Sequence, residues 1–460
     1  MWVMKTGYRK QPIESVNLAE LLGTLSFALD MTEGQPEGHC IRCCWIGSNI
    51  GLQLGLNETE LRDLYYVLLL KDLGCSSNAA RVCNLYLTDD IAFKRDFKTV
   101  DGSLSAALRF VFSKTGLESG LSERIRALVN VMQNGGELAR ELIETRCERG
   151  ADIARRMRFS EPVQDAIRCL DERWDGSGLP NGLTGDAVPM IANIALMAQV
   201  IDVFATDQGQ QAAVTEVKSR SGKWFSPKLV DAFLAAQADQ SFWDSAYGPD
   251  LEAHVFAMTP ALQDQPVDED YLDEIAEAFS DVVDAKSSFT ADHSNRVTLY
   301  CDIIAEEMGL PADHRRWLRR AALLHDLGKL AVSNQILDKP DKLSDAEWAA
   351  IRSHPRLSEK ILERVSVFRD IAPIAGAHHE RLDGTGYPNG LTAEQLCLEV
   401  RILTVADVFD ALSAERPYRN AMPIAKAFEI LDKGVGEAFD ADCVAALKTG
   451  FQRLNAFKAA

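Results

Sequence analysis

The 460-residue chain has no apolar run near the roughly 20 residues that a membrane-crossing helix needs. Its opening residues, Met-Trp-Val-Met-Lys-Thr, lack the apolar core of a secretory signal. A cytoplasmic location and no membrane partner are therefore expected. Basic charge is also short. The chain has 49 Lys and Arg against 68 Asp and Glu, a net charge of −19, which argues against sequence-independent binding to a nucleic acid polymer or an anionic bilayer. A small anionic substrate stays compatible, because metal ions and a few local cations can reverse the field inside a pocket. The ten cysteines follow no framework spacing and are expected to be reduced. Cys40, Cys43 and Cys44 cluster, but no second Cys or His pair follows at zinc-site distance, so buried thiols are the expectation. Strand-like alternation is nearly missing, and an all-α fold follows.

Helical signals are clear. Leu357, Ile361, Val365 and Phe368 recur at helical intervals and predict one amphipathic helix. Asn57 with Glu60, and Ser344 with Glu347, fit capping boxes, and the pairs Leu56/Leu61 and Leu343/Trp348 sit where a hydrophobic staple would close.

The chain also repeats itself. Asp171-Glu-Arg-Trp-Asp-Gly-Ser-Gly-Leu-Pro-Asn-Gly-Leu-Thr184 matches His379-Glu-Arg-Leu-Asp-Gly-Thr-Gly-Tyr-Pro-Asn-Gly-Leu-Thr392. His39-x-x-Arg42 matches His293-x-x-Arg296, and Leu70-Lys-Asp-Leu-Gly74 matches Leu324-His-Asp-Leu-Gly328. Asp202-Val-Phe resembles Asp407-Val-Phe. Two helical domains are expected, 1–262 and 271–460, joined by a polar, acidic linker at 263–270.

The copies differ in chemistry. The second holds His293, His325, Asp326, His354, His378, His379 and Asp407, and these take five of the chain's eight histidines. Imidazole with carboxylate suits iron, manganese, nickel or zinc rather than all-oxygen ions. Seven donors exceed one tetrahedral ion and suit two ions sharing a carboxylate. In the first copy Lys71 replaces His325 and Leu170-Asp171 replaces His378-His379. Only Cys147 stands near the place of His354, in an alignment that needs a gap. A lysine adds positive charge where a cation would sit, so the first half is expected to be metal-free. His325-Asp326 lies in an apolar run read as helical, where two polar groups need buried partners.

His-Asp-x-Gly-Lys, the pair His378-His379 and Gly386-Tyr387-Pro388 together resemble the HD-GYP family of HD phosphohydrolases. The likeness covers about 290–440, including Asp407-Val-Phe-Asp410 and Arg416-Pro-Tyr-Arg419. It implies two tandem HD-type helical domains, the first degenerate, and hydrolysis of a bacterial cyclic dinucleotide, usually cyclic di-GMP. It further implies one ion on His293, His325, Asp326 and Asp407 and another on His354, His378 and His379, with Asp326 bridging. Iron or manganese is typical of the family. Lys329 would offset charge on the phosphoryl oxygens, and Tyr387, Asp410, Arg416 and Arg419 resemble substrate contacts. Some family members ligate a third ion through a glutamate where this chain has Phe289, so a dinuclear site is expected. Asp341 stands where the family often has glycine.

Cyclic di-GMP hydrolysis is the main expectation. The alternatives are cyclic GMP-AMP or another nucleotide as substrate, and a non-catalytic signalling protein. The first half is expected to be regulatory, or to mediate a homodimer or a partner contact.

Overall fold

The computed structural model describes residues 18–100, 103–259, 267–287, 289–290, 292–415 and 420–459. Among these residues there is no strand, only isolated bridges such as Asp175–Thr184 and Asp383–Thr392. The chain is all-α. It divides into two compact units, Asn17–Val267 and a second that includes Asp268–Ala460. Residues 263–266 of the expected linker lie outside the described residues. Glu269 and Asp270, also assigned to it, instead open the helix Glu269–Asp284, capped by the Asp268 carboxylate on Tyr271 N at 2.8 Å.

Each unit is built on the same helices. The first has Leu18–Thr32, His39–Leu54, Glu58–Leu70 and Met190–Gln208; the second has Glu269–Asp284, His293–Glu307, Ala312–Leu324 and Leu398–Ser413. Both predicted capping boxes close: Asn57 with Glu60 and Ser344 with Glu347 exchange hydrogen bonds at 2.7–3.3 Å. Met190–Gln208 is long and apolar enough to cross a membrane, but 72% of its apolar window is buried as a core helix of the first unit.

One local expectation is corrected. The helix His354–Arg364 stops before Val365; a 3-10 turn, Ser366–Phe368, carries the buried stripe onward, so Val365 and Phe368 are core without being helix. Trp348 is 45% exposed and lies with Leu343 on a cavity wall.

The repeated loops are fixed by a glutamate that sequence reasoning passed over. Buried Glu380 accepts hydrogen bonds from Asn389 N at 2.6 Å and Leu391 N at 2.9 Å. Glu172 does the same for Asn181 N and Leu183 N. A Cβ on Gly386 would meet Arg381 N at 2.5 Å, so that loop position requires glycine.

Candidate metal centre

His325 and Asp326 do not sit inside a helix. Ala312–Leu324 ends just before them, and Asp326 opens the 3-10 turn Leu327–Ala331. That break is what presents both side chains on one side. The turn packs closely on the helix His354–Arg364. A Cβ on Gly328 would run into His354 O, and Gly328 N donates to Ser358 Oγ at 2.9 Å.

Four imidazoles have their Nδ1 atoms tied from behind. His325 Nδ1 meets Ala322 O at 2.7 Å, His354 Nδ1 meets Ile351 O at 2.6 Å, and His378 Nδ1 meets Ala375 O at 2.6 Å. His293 Nδ1 meets Asp410 Oδ2 at 2.7 Å. A carbonyl only accepts, so Nδ1 carries the proton in the first three and Nε2 offers a lone pair to the centre.

The donor atoms then fall into two groups around Asp326. Its Oδ2 lies 3.3 Å from both His293 Nε2 and His325 Nε2, and His293 Nε2 is 3.4 Å from Asp407 Oδ1. Its Oδ1 lies 3.2 Å from His354 Nε2 and 3.7 Å from His378 Nε2. His354, His378 and His379 form one compact donor set, and His293, His325 and Asp407 another. Ligands about 2.0–2.2 Å from one ion are roughly 3.0–3.5 Å apart, the spacing found here.

The residues present fit metal ions on independent grounds. His354 Nε2 and His378 Nε2 face each other at 3.1 Å, a repulsive arrangement of two lone pairs unless a cation lies beside them. His293 Nε2, His325 Nε2 and Asp326 Oδ1 are buried and have no hydrogen-bond partner, a state that is costly in a protein interior. Burial, then the crowding of His379, His325 and His354, keeps His378 neutral far below the usual histidine range. His379 is pulled down to about 3, first by burial. Burial opposes ionisation of Asp326, but His325 and Lys329 outweigh it and hold the carboxyl well below its ordinary range. Burial also favours a neutral His293, but its bonds to Asp326 and Asp410 outweigh it and raise that imidazole's pKa to about 9. It is His354, His378 and His379 that stand neutral beside ionised carboxylates, as a divalent transition metal requires.

The centre opens into a cavity of about 560 Å³, whose wall includes Lys286, Phe289, Lys329, Asp341, Trp348 and Tyr387. Lys329 Nζ bonds Asp326 Oδ2. Tyr387 stands over His379, with ring centroids 4.8 Å apart, and Arg352 lies 5.4 Å from its ring centroid.

Asp410 is fully buried behind His293 and clasped by Arg296 Nε at 2.5 Å. One turn beyond Asp407 on Leu398–Ser413, it is placed to orient the His293 imidazole. Arg416 and Arg419 lie outside the described residues.

The first unit reveals the true register of the repeat. His39 Nδ1 bonds Asp202 Oδ2 at 2.6 Å and Arg42 Nε bonds Asp202 Oδ1 at 2.6 Å. This is the His293–Asp410–Arg296 arrangement again. Asp202 therefore corresponds to Asp410 and not to Asp407, whose place is taken by Gln199. A Cβ on Gly74 would strike Arg146 O just as one on Gly328 would strike His354 O, so Arg146 and not Cys147 holds the place of His354. Lys71 Nζ bonds Asp72 and lies 3.0 Å from His39 Nε2, and Arg146 bonds Asp171. Two side-chain cations, Lys71 and Arg146, stand at the places of His325 and His354 in the second unit's donor sets. The Cys40, Cys43 and Cys44 thiols are free and buried.

The HD domain profile matches residues 118–229 and 277–443. The chain is 52% identical to the 3'3'-cGAMP-specific phosphodiesterase 3 of Vibrio cholerae, over 95% of each chain. It is 39% identical to the cyclic di-GMP phosphodiesterase response regulator RpfG of Xanthomonas campestris, over 38% of this chain and 46% of that one. A crystal structure of a cyclic GMP-AMP-specific phosphodiesterase of V. cholerae matches with a TM-score of 0.65 and 47% identity, covering 95% of this chain and 97% of that one. The chain belongs to the HD domain family, in its HD-GYP branch, with a degenerate copy in its first half.

Proposed function

We propose that the second unit is a dinuclear-metal phosphodiesterase that opens a cyclic dinucleotide, with 3',3'-cyclic GMP-AMP as the preferred substrate. The observation that carries the reaction type is Asp326, whose two oxygens face two separate donor sets. The substrate choice rests on likeness. The relative that matches over nearly the whole chain is named for cyclic GMP-AMP, whereas those named for cyclic di-GMP match less than half of this chain. Cyclic di-GMP, the expectation from motifs alone, becomes the second reading.

His293, His325, Asp326 and Asp407 would hold one ion, and His354, His378 and His379 the other, with Asp326 shared. Iron and manganese suit this nitrogen–oxygen set, and nickel and zinc are also within its chemistry. Two such ions supply charge stabilisation and an acidified water for attack on phosphorus. Water oxygen bonds to phosphorus, the P–O3' bond breaks, and the departing alkoxide takes up a proton. Lys329, aimed at Asp326 from the cavity wall, would neutralise charge on the non-bridging oxygens. Tyr387 would pack against or donate to the substrate from the loop that Glu380 clamps. Lys286, Lys339 and Lys342 join Lys329 in lining the cavity, giving an acidic protein a pocket suited to phosphates.

The test is anaerobic loading with iron or manganese, then a panel of cyclic GMP-AMP, cyclic di-GMP and cyclic di-AMP. Fastest turnover of cyclic GMP-AMP, abolished in Asp326→Ala, is expected, and chromatography separates linear dinucleotide from mononucleotides. No turnover with any metal overturns the enzymatic reading; faster cyclic di-GMP cleavage overturns the substrate choice.

A further inference from the structure

The first unit carries an insertion that the second lacks. Between Asp72 and Arg146 lie the helices Ala79–Tyr86, Asp90–Phe97 and Leu104–Lys114 and the outer part of the 36-residue helix Leu121–Arg156. That long helix uses Val131 and Leu142 to close a small core with Val82, Phe93 and Val111. An adjoining face, about a quarter-turn round, is left bare. Leu121 is 74% exposed, Ile125 53%, Val129 44% and Met132 65%. Their spacing of four, four and three puts them in one stripe, and apolar side chains so exposed mark an interaction surface.

The same stripe continues with small residues, Gly136 and Ala139, before Ile143. A Cβ on Gly136 would meet nothing within 4 Å. Nothing in the chain requires glycine there, although mid-helix glycine costs roughly 1 kcal/mol relative to alanine. A bulky half followed by a small half is complementary to itself in reverse. We infer that the stripe pairs, antiparallel, with the same helix of a second copy of this chain, centred on Met132. In that register Ile125 meets the partner's Ala139, Val129 packs over the partner's Gly136, and Leu121 meets the partner's Ile143. One flank also agrees. Arg126 falls opposite the partner's Glu137 and Glu123 opposite the partner's Arg140, each twice by symmetry. A parallel pair would oppose Arg126 to Arg126 and large residues to large ones. A membrane surface is disfavoured, because the flank mixes both charge signs and the chain carries −19.

The full chain is tested by light scattering and cross-linking. A mass twice 50.7 kDa is expected at micromolar concentration. Met132→Cys should give a covalent dimer with a short bismaleimide. Leu121→Cys should not, because the two copies of that residue lie roughly 33 Å apart at 1.5 Å per residue. Wild type is the control for the native thiols. Met132→Glu should raise the dimer Kd at least about tenfold with unchanged helical circular dichroism. Arg126→Glu should weaken the dimer, and Glu137→Arg added to it should restore it. A monomer at tens of micromolar, a dimer that survives Met132→Glu, or self-cross-linking through Leu121→Cys overturns the inference.

Discussion

Lys71 Nζ stands 3.0 Å from His39 Nε2 and bonds Asp72, so one side-chain cation satisfies a buried imidazole and a buried carboxylate together. In the second unit the matching atoms, His293 Nε2 and Asp326, converge with His325 in one compact donor set. Lysine at this place does more than repel an ion. It supplies permanently a positive charge between the two groups.

Lys71→Met therefore leaves Asp72 buried without its main counter-ion; burial opposes ionisation of that carboxyl, and at present the Lys71 charge outweighs it. Breaking a buried pair by removing one partner costs about 3–5 kcal/mol. Urea unfolding should show the first transition displaced by that amount. A change below about 1 kcal/mol would mean that Lys71 is not the counter-ion. Metal content should stay at two ions per chain, because the donors of the second unit are untouched.

The role of Asp410 separates two readings by kinetics. As an orienting carboxylate it fixes His293 with the Nε2 lone pair aimed at the centre. Asp410→Asn should weaken metal binding about 10–100-fold and lower kcat, and excess metal should partly restore the rate. KM for the dinucleotide, measured in the fully loaded protein, should stay close to wild type. A raised KM with unchanged metal affinity would return Asp410 to the substrate contacts that the motif suggested.

Much of this centre was legible because it is local. The His-Asp pair, the paired histidines and the Gly-Tyr-Pro loop announce themselves at short range, and the capping boxes at Asn57 and Ser344 depend on residues three apart. Register across the repeat was not. Asp202-Val-Phe looks like Asp407-Val-Phe, yet the shift of 208 positions that aligns Asp171 with His379 also aligns Asp202 with Asp410, Gln199 with Asp407 and Arg146 with His354. A fixed shift from the loop repeat would have found all three. The ends of helices were also illegible: the buried stripe through Val365 and Phe368 persists after the helix stops, because burial does not specify helix. Glu380 was missed because its partners are backbone amides, which leave no side-chain pattern.

Asp30 gives the fold a pH dependence that lies outside the metal centre. Its carboxylate receives Gly38 N at 2.8 Å and Cys40 N at 2.9 Å, at the start of His39–Leu54. Burial pushes its pKa up to about 6, against the pull of Cys40 and Lys71. The folded state therefore holds this proton more tightly than the unfolded chain, whose carboxyl titrates near the ordinary value of about 3.9. Between these values the folded state binds more protons, and stability falls as pH rises. The contribution is fully present below about pH 4 and gone above about pH 6, and a shift of about two units is worth on the order of 3 kcal/mol. Asp30→Asn cannot titrate. The stability of wild type minus that of the variant, from urea unfolding at pH 4, 5, 6 and 7, should decline across that window and then level off. A difference that rises with pH would mean that Asp30 is stabilised as the anion by its two amide donors, and that burial is not the stronger effect.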